Sequence, residues 1–351
     1  MKRYGTMKFK QTYSFDDLLL VPAKSDIESR DEVSLSSMIA DCEFSIPIIA
    51  SPMDTVTESD MMYAMAKLGG LGVLHRYNPP VKQASIFADT RMRLEEENHS
   101  YSSKLSVAIG STDDFEKRAK LLVENGVRIL CLDVAHGHHC LTERAIKTLK
   151  DNHGEQVIIM AGNIATPEAY HDLSTWGADA VRIGIGGGSI CSTRIQTGHG
   201  MPTLQSVMDC ASMDGAAIIA DGGIKTAGDI VKALAAGADF VMLGSMLAGT
   251  DESPGDVISS NEDTRYKVYR GMASVEAQVD WRGKARSLEG ISTTIPYKGS
   301  VIDIIRNLES NIKSGFSYSG ARSITELQAK ANFVQQSSAG QLESSTHILK
   351  R

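Results

Sequence analysis

Gly177-Ala178-Asp179-Ala180 and Gly237-Ala238-Asp239-Phe240 are near copies of one another, and each joins a helical stretch to a short apolar run. Gly126-Val127 makes the same kind of junction. Glycine tolerates the positive φ that ends a helix, so each echo reads as a helix stop followed by a strand start. Outward from these junctions, apolar or β-branched runs of strand length recur at 46–50, 72–75, 105–109, 129–133, 157–161, 180–183, 216–221 and 240–244. Residues 113–125, 141–152, 167–176 and 227–236 carry apolar residues at helical spacing, several of them behind a Thr or Asp cap. Eight strand–helix units in a row predict a closed parallel (β/α)8 barrel of the TIM type rather than an open sheet, with 1–351 as a single domain.

The bulk numbers agree with one large α/β core. A hydrophobic share of 42% and 31 glycines suit a compact enzyme, and no stretch has the composition of disorder. The net charge of −7, from 36 basic and 43 acidic residues with no basic block, argues against nucleic acid as a general partner but leaves room for a small anion held by local donors. No apolar run reaches the 18 or so residues of a membrane span, and none resembles a secretion signal, so a soluble protein is expected. Five cysteines in no regular framework point to a reducing compartment, read here as the cytoplasm.

Chemistry in such a barrel sits at the carboxyl ends of the strands. Here those ends carry Ser51-Pro52-Met53-Asp54, His75-Arg76, Asp133-Val134-Ala135-His136-Gly137, Gly162-Asn163, Asp221-Gly222-Gly223 and Gly244-Ser245. The sixth delivers Gly184-Ile185-Gly186-Gly187-Gly188-Ser189-Ile190-Cys191-Ser192-Thr193. Its glycines let backbone approach an anion or ion closely, Ser189 can bond the anion, and Arg182 or Arg194 could favour a Cys191 thiolate. The same segment also reads as an ordinary turn with a packed cysteine. Glycine turns at Asp221-Gly222-Gly223 and Gly244-Ser245 could complete a phosphate cradle or be purely structural. His136-Gly137-His138-His139-Cys140 has zinc-type side chains, but adjacent loop histidines point apart, and a loop over a cofactor with Asp133 beneath it fits better. Residues 250–300 read as a long polar loop across the barrel mouth, before helical spacing resumes at 300–315.

Together these stretches resemble the inosine monophosphate dehydrogenase and guanosine monophosphate reductase family. The likeness runs over nearly the whole chain and rests on Phe15-Asp16-Asp17-Leu18-Leu19-Leu20-Val21-Pro22, Ser51-Pro52-Met53-Asp54-Thr55-Val56, Asp133-Val134-Ala135-His136-Gly137-His138, Ala161-Gly162-Asn163, the cysteine turn, Ala220-Asp221-Gly222-Gly223-Ile224 and Tyr269-Arg270-Gly271-Met272. It implies an oxidoreductase, usually a homotetramer, whose Cys191 attacks C2 of a purine nucleotide with Thr193 and Glu289 as catalytic neighbours. The resemblance sets the 5′-phosphate against Ser189, Gly223, Gly244 and Ser245 and the ribose against Asp221, with Ser51, Arg182, Gly222 and Tyr269 as further substrate contacts. The base would lie near Met53, Asn163, Gly271, Met272 and Glu289, and a nicotinamide cofactor near Arg76, Asp133, Val134 and Ala135. Backbone carbonyls of Gly186, Gly188 and Cys191 match the family's potassium site. Gly187 stands where the family usually has proline.

The two branches differ in what meets the covalent intermediate. Dehydrogenases hydrolyse it with an Arg-Tyr pair on a long mobile flap, whereas here only 273–288 separate Met272 from Glu289 and hold no such pair. The short flap, at about 273–295, and Ser29-Arg30-Asp31-Glu32-Val33 resemble the reductases. Arg270-Gly271-Met272, Gly249-Thr250-Asp251-Glu252-Ser253-Pro254-Gly255 and the tail at about 333–351, through Ser337-Ser338-Ala339-Gly340, resemble the dehydrogenases. Residues 86–104 are too few for the regulatory CBS pair that many dehydrogenases insert. The expectation is NADPH-dependent conversion of GMP to IMP. The alternatives are an NAD-dependent IMP dehydrogenase using Arg282 or Arg286 to activate water, and a nucleotide-binding protein without turnover.

Overall fold

In the computed structural model the described residues are 9–97, 99–261, 264–286 and 288–344. All eight expected strands are present: β1 Ile48–Ala50, β2 Leu71–Leu74, β3 Ser106–Ile109, β4 Ile129–Asp133, β5 Ile158–Ile164, β6 Ala180–Ile183, β7 Ala217–Asp221 and β8 Phe240–Leu243. They run parallel in chain order, and β8 pairs with β1 through Val241↔Ile48 and Leu243↔Ala50 to close the ring. Gly126, Gly177 and Gly237 have φ of +89°, +112° and +111°, the helix-ending geometry their repeated context predicts. Thr166 and Thr226 cap the Pro167–Trp176 and Ala227–Ala235 helices through their hydroxyls.

Side chains alternate across each strand, so every second residue points into the barrel. Ile49, Val73, Ala108, Cys131, Met160, Ile219, Phe240 and Met242 form that inner core, while Ile48, Leu74, Val107, Leu130, Ile159, Val181 and Val241 pack outward under the helices. A fully buried aliphatic or aromatic side chain contributes about 1.5–3 kcal/mol, against about 1 kcal/mol net for a hydrogen bond. Packing, more than the strand ladder, therefore holds the ring shut. A hairpin of Ser37–Ile39 and Cys42–Phe44 plugs the amino-terminal end, where Phe44 meets Phe240 edge-on at 5.7 Å. The Pro80–Glu96 helix and a short Ser100–Lys104 turn fill 86–104, with no inserted domain.

The expected polar loop at 250–300 is largely ordered structure. It forms an antiparallel sheet of β9 Ile258–Asn261, β10 Thr264–Arg270 and β11 Ser292–Pro296, with a helix at Val275–Arg282. On β10, Lys267 and Tyr269 are 3% and 4% exposed, at the head of the barrel. Farther along, Phe333–Gln335 pairs with Leu18–Leu20, joining the two ends of the chain; of the expected 333–351 tail, 345–351 lies outside the described residues.

Candidate active site

The alternation that builds the barrel also builds the floor of its mouth. Above Cys131, Ala180 and Ile219, the next inward positions are Asp133, Arg182 and Asp221. Arg182, 5% exposed, donates to Asp133 Oδ1 at 2.8 Å and to Asp221 Oδ2 at 3.0 Å. Burial works against its charge, but the carboxylates of Asp133 and Asp221 outweigh it and hold the guanidinium ionised. Gly162 makes room, since a Cβ there would lie 2.6 Å from the Arg182 Cβ. Asn163 adds a bond to Asp221 Oδ2 at 2.8 Å. Among the described residues both bonds to Asp221 fall on Oδ2, so Oδ1 is available to a ligand, and Asn163 Oδ1 is buried without a partner.

Over this floor lies a cavity of about 350 Å³. Every candidate residue lines it: Cys191, Thr193 and Glu289; Ser51, Met53, Asn163, Arg182, Ser189, Asp221, Gly222, Gly223, Gly244, Ser245, Tyr269, Gly271 and Met272; Arg76, Asp133, Val134 and Ala135; Gly186 and Gly188. The Cys191 thiol donates to Thr193 Oγ1 at 3.2 Å, and the Thr193 hydroxyl donates to Glu289 Oε2 at 2.8 Å. Two chain segments meet to form this relay, because the Ser192 amide bonds the Glu289 carbonyl and Cys191 bridges Gly290. Of the other cysteines, burial pushes the Cys131 thiol up to about 11 and Cys210 up to about 12, leaving both protonated and inert. Neither arginine suggested for Cys191 bonds it: Arg182 is bonded to the two aspartates and Arg194 to the Met201 carbonyl.

The glycines act through space as well as φ. A Cβ on Gly244 would come within 3.1 Å of the Tyr269 hydroxyl, 3.2 Å of Ser51 Oγ and 3.3 Å of Met53 Sδ. A Cβ at Gly187 would reach 2.7 Å from Thr203 Oγ1, so this turn has no space for the family's proline without a shift. Ser189 Oγ and the Tyr269 hydroxyl are 3.4 Å apart. Burial raises the Tyr269 pKa and keeps that hydroxyl a donor at neutral pH.

On the other wall, Arg76 Nε is buried, 3.8 Å from Asp133 Oδ2, and has no hydrogen-bond partner among the described residues. An unpartnered donor beside a carboxylate fits an anionic, hydroxyl-bearing cofactor. Sequence reasoning missed the neighbour that seals this wall. The Tyr77 ring stacks on Trp281 at 5.3 Å and 7°, and its hydroxyl donates to the Met272 carbonyl at 2.7 Å. Arg270 holds Asp54 through two donors at 3.0 and 2.8 Å and Asp280 at 2.6 Å, pinning the Val275–Arg282 helix to the barrel. In the histidine loop, His138 bonds Asp172 at 2.8 Å and His139 caps the next helix.

A closed parallel barrel whose mouth is lined by a cysteine-bearing glycine loop and further glycine turns defines the class. The chain belongs to the IMP dehydrogenase / GMP reductase family, whose domain description matches residues 12–347. It is an oxidoreductase of purine metabolism, in a family that uses nicotinamide cofactors. It is 33% identical to an inosine-5′-monophosphate dehydrogenase of Nitrosopumilus maritimus, covering 97% of this chain and 99% of that protein. Against a GMP reductase of Leishmania donovani the identity is 32%, covering 96% and 97%. An inosine-5′-monophosphate dehydrogenase of Cryptosporidium parvum is 37% identical, covering 98% and 96%. Among solved structures, GMP reductase from Trypanosoma brucei in complex with guanosine 5′-monophosphate superposes with a TM-score of 0.89 at 32% identity, covering 97% of this chain and 98% of that one. Among the described residues no helix is long and apolar enough to cross a membrane.

Proposed function

We propose that the chain is an NADPH-dependent GMP reductase. The observation that carries this reading is the Cys191–Thr193–Glu289 relay, closed by a flap too short to hold the dehydrogenases' Arg-Tyr pair. Cys191 Sγ adds to C2 of guanine while its proton passes through Thr193 Oγ1 to Glu289. The same path returns a proton to the exocyclic amine, which departs as ammonia and leaves C2 doubly bonded to nitrogen in a thioimidate on Cys191. NADPH, when bound at Arg76, Asp133, Val134 and Ala135, supplies a hydride to C2. Reformation of the ring double bond then expels the Cys191 thiolate, and the sum takes GMP, NADPH and two protons to IMP, NADP⁺ and ammonium.

In this reading Ser189, Gly222, Gly223, Gly244, Ser245 and Tyr269 receive the phosphate, and Asp221 Oδ1 the ribose. Ser51, Met53, Asn163, Gly271 and Met272 surround the base, and Arg182 acts through the two aspartates it holds. Carbonyls of Gly186, Gly188 and Cys191 would hold potassium. They are oxygen donors of the right hardness, and the Gly188 carbonyl, which accepts the Cys191 amide at 3.1 Å, keeps a second lone pair. A homotetramer in the cytoplasm suits the free cysteines and the apolar side chains exposed on the head, Val275, Val279 and Ile291 among them.

A second reading, an NAD-dependent IMP dehydrogenase, is favoured by the relatives of that name. It would need Arg282 or Arg286 as water activator, yet neither is among the residues lining the cavity, and the Arg282 guanidinium donates to Gln278 at 3.2 Å. Paired spectrophotometry decides. GMP with NADPH is expected to consume the reduced cofactor, with Cys191→Ala abolishing turnover while the fold persists. Cofactor reduction with IMP and NAD, and none consumed with GMP, would reverse the assignment.

A further inference from the structure

We propose that Lys298 is a positioning residue for the substrate's 5′-phosphate, gripping the Gly244–Met246 turn from the side away from the ligand. The proposal deepens the reading that Gly244 and Ser245 cradle that phosphate. Lys298 follows β11, and its ammonium donates to the carbonyl of Ser245 and, at 3.3 Å, to that of Met246. Its own backbone is fixed as well, since its amide bonds the Gly249 carbonyl at 2.8 Å and Gly299 bridges Thr250.

The turn it holds is one helical revolution. The amides of Leu247 and Ala248 bond back to the Gly244 carbonyl at 3.0 and 2.9 Å, so the amides of Ser245 and Met246 precede the first bonded donor. In a trans peptide the carbonyl and the next residue's N–H point in opposite directions. A cation on the Ser245 carbonyl therefore turns the Met246 amide the other way and polarises it as a donor. Lys298 thus orients backbone donors and brings a positive charge behind them without touching the ligand.

The placement also ties the cradle to the catalytic acid. Glu289, β11 and Lys298 form one continuous stretch, and β11 pairs with β10 at Thr293↔Tyr269, where Tyr269 lines the same cavity. A phosphate seated on the turn thus steadies the stretch that begins at Glu289.

The test titrates the full chain calorimetrically with GMP and with guanosine, without cofactor, in wild type, Lys298→Met and Lys298→Arg. Loss of a charged hydrogen bond predicts that Lys298→Met weakens GMP about tenfold while guanosine changes less than about twofold, with Lys298→Arg recovering most of the loss. At saturating GMP and NADPH, kcat is expected to stay within about threefold while KM rises, as for lost uniform binding. Equal weakening of GMP and guanosine would make Lys298 merely structural and overturn the proposal, as would no change for either. If Lys298→Met does not fold, Lys298→Gln, which keeps an N–H donor without charge, carries the same comparison. A wild type that prefers GMP to guanosine yet turns over no GMP with NADPH defeats the assigned reaction alone and leaves the Lys298 comparison decisive.

Discussion

Arg182 shows how one buried side chain can organise the floor of a site. It lies between two carboxylates inside the barrel, and removing it would leave Asp221 without a cation and Asp133 with only Arg76, 3.8 Å away. Lys, shorter and without the forked donors, could not hold both. Arg182→Met is expected to lower stability by about 3 kcal/mol, read from denaturant midpoints, because breaking a buried pair strands its partners. An unchanged midpoint would mean that the aspartates find other partners. The triad was legible in principle: period-two counting from Cys131, Ala180 and Ile219 leads to Asp133, Arg182 and Asp221. Weighing strand ends one at a time does not reveal that Arg182 joins the two aspartates. Cys191 was readable as a candidate thiolate from its glycine-rich turn, but its grouping with Thr193 and Glu289 came through the family likeness, since the spacing between 193 and 289 says nothing about their 2.8 Å contact.

At the scale of elements, the barrel strands were readable because each is a short buried run between glycine or capping signals. The sheet of β9, β10 and β11 was not, because its half-exposed strands mix polar and apolar residues in runs too short to register as a period. The Tyr77–Trp281 stack was hidden for a different reason: it joins the loop after β2 to a helix some two hundred positions away. That stack, with Arg270 bridging Asp54 and Asp280, seats the Val275–Arg282 helix over the cavity. An aromatic pair of this kind contributes about 0.5–1.5 kcal/mol, so Trp281→Ala is expected to lower kcat/KM about three- to tenfold with little change in melting temperature. Trp281→Phe should keep most of the activity. Steady-state kinetics that leave the alanine variant unimpaired would show that the helix seats without the stack.

For the whole molecule, acid is the predicted weakness. The hydrogen bond to His75 leads the causes that hold the Glu58 carboxyl below its ordinary value of 4.5. The exposed carboxylates of Asp26, Glu32, Asp41, Glu97 and Glu326 shift the same way. A depressed carboxylate stabilises the fold fully above its unfolded pKa, and that contribution is lost as pH falls through the folded value. Asp239 opposes the trend, since burial raises its pKa. Circular-dichroism melts are therefore expected to hold steady from neutrality down to about pH 5 and to fall below that. A chain that melts as high at pH 3 as at pH 7 would contradict this balance.

The pairing of β8 with β1 also sets an order of events during synthesis. While translation proceeds, Ile48–Ala50 and the strands after it can emerge and pair in sequence, but the ring stays an open sheet with two raw edges until Phe240–Leu243 has left the ribosome. Lys298 emerges later still, so the cradle it grips is finished only after the barrel can close. Ligand binding is thereby deferred to a nearly complete chain, and the longest exposure to wrong partners falls on the edge of the first strand.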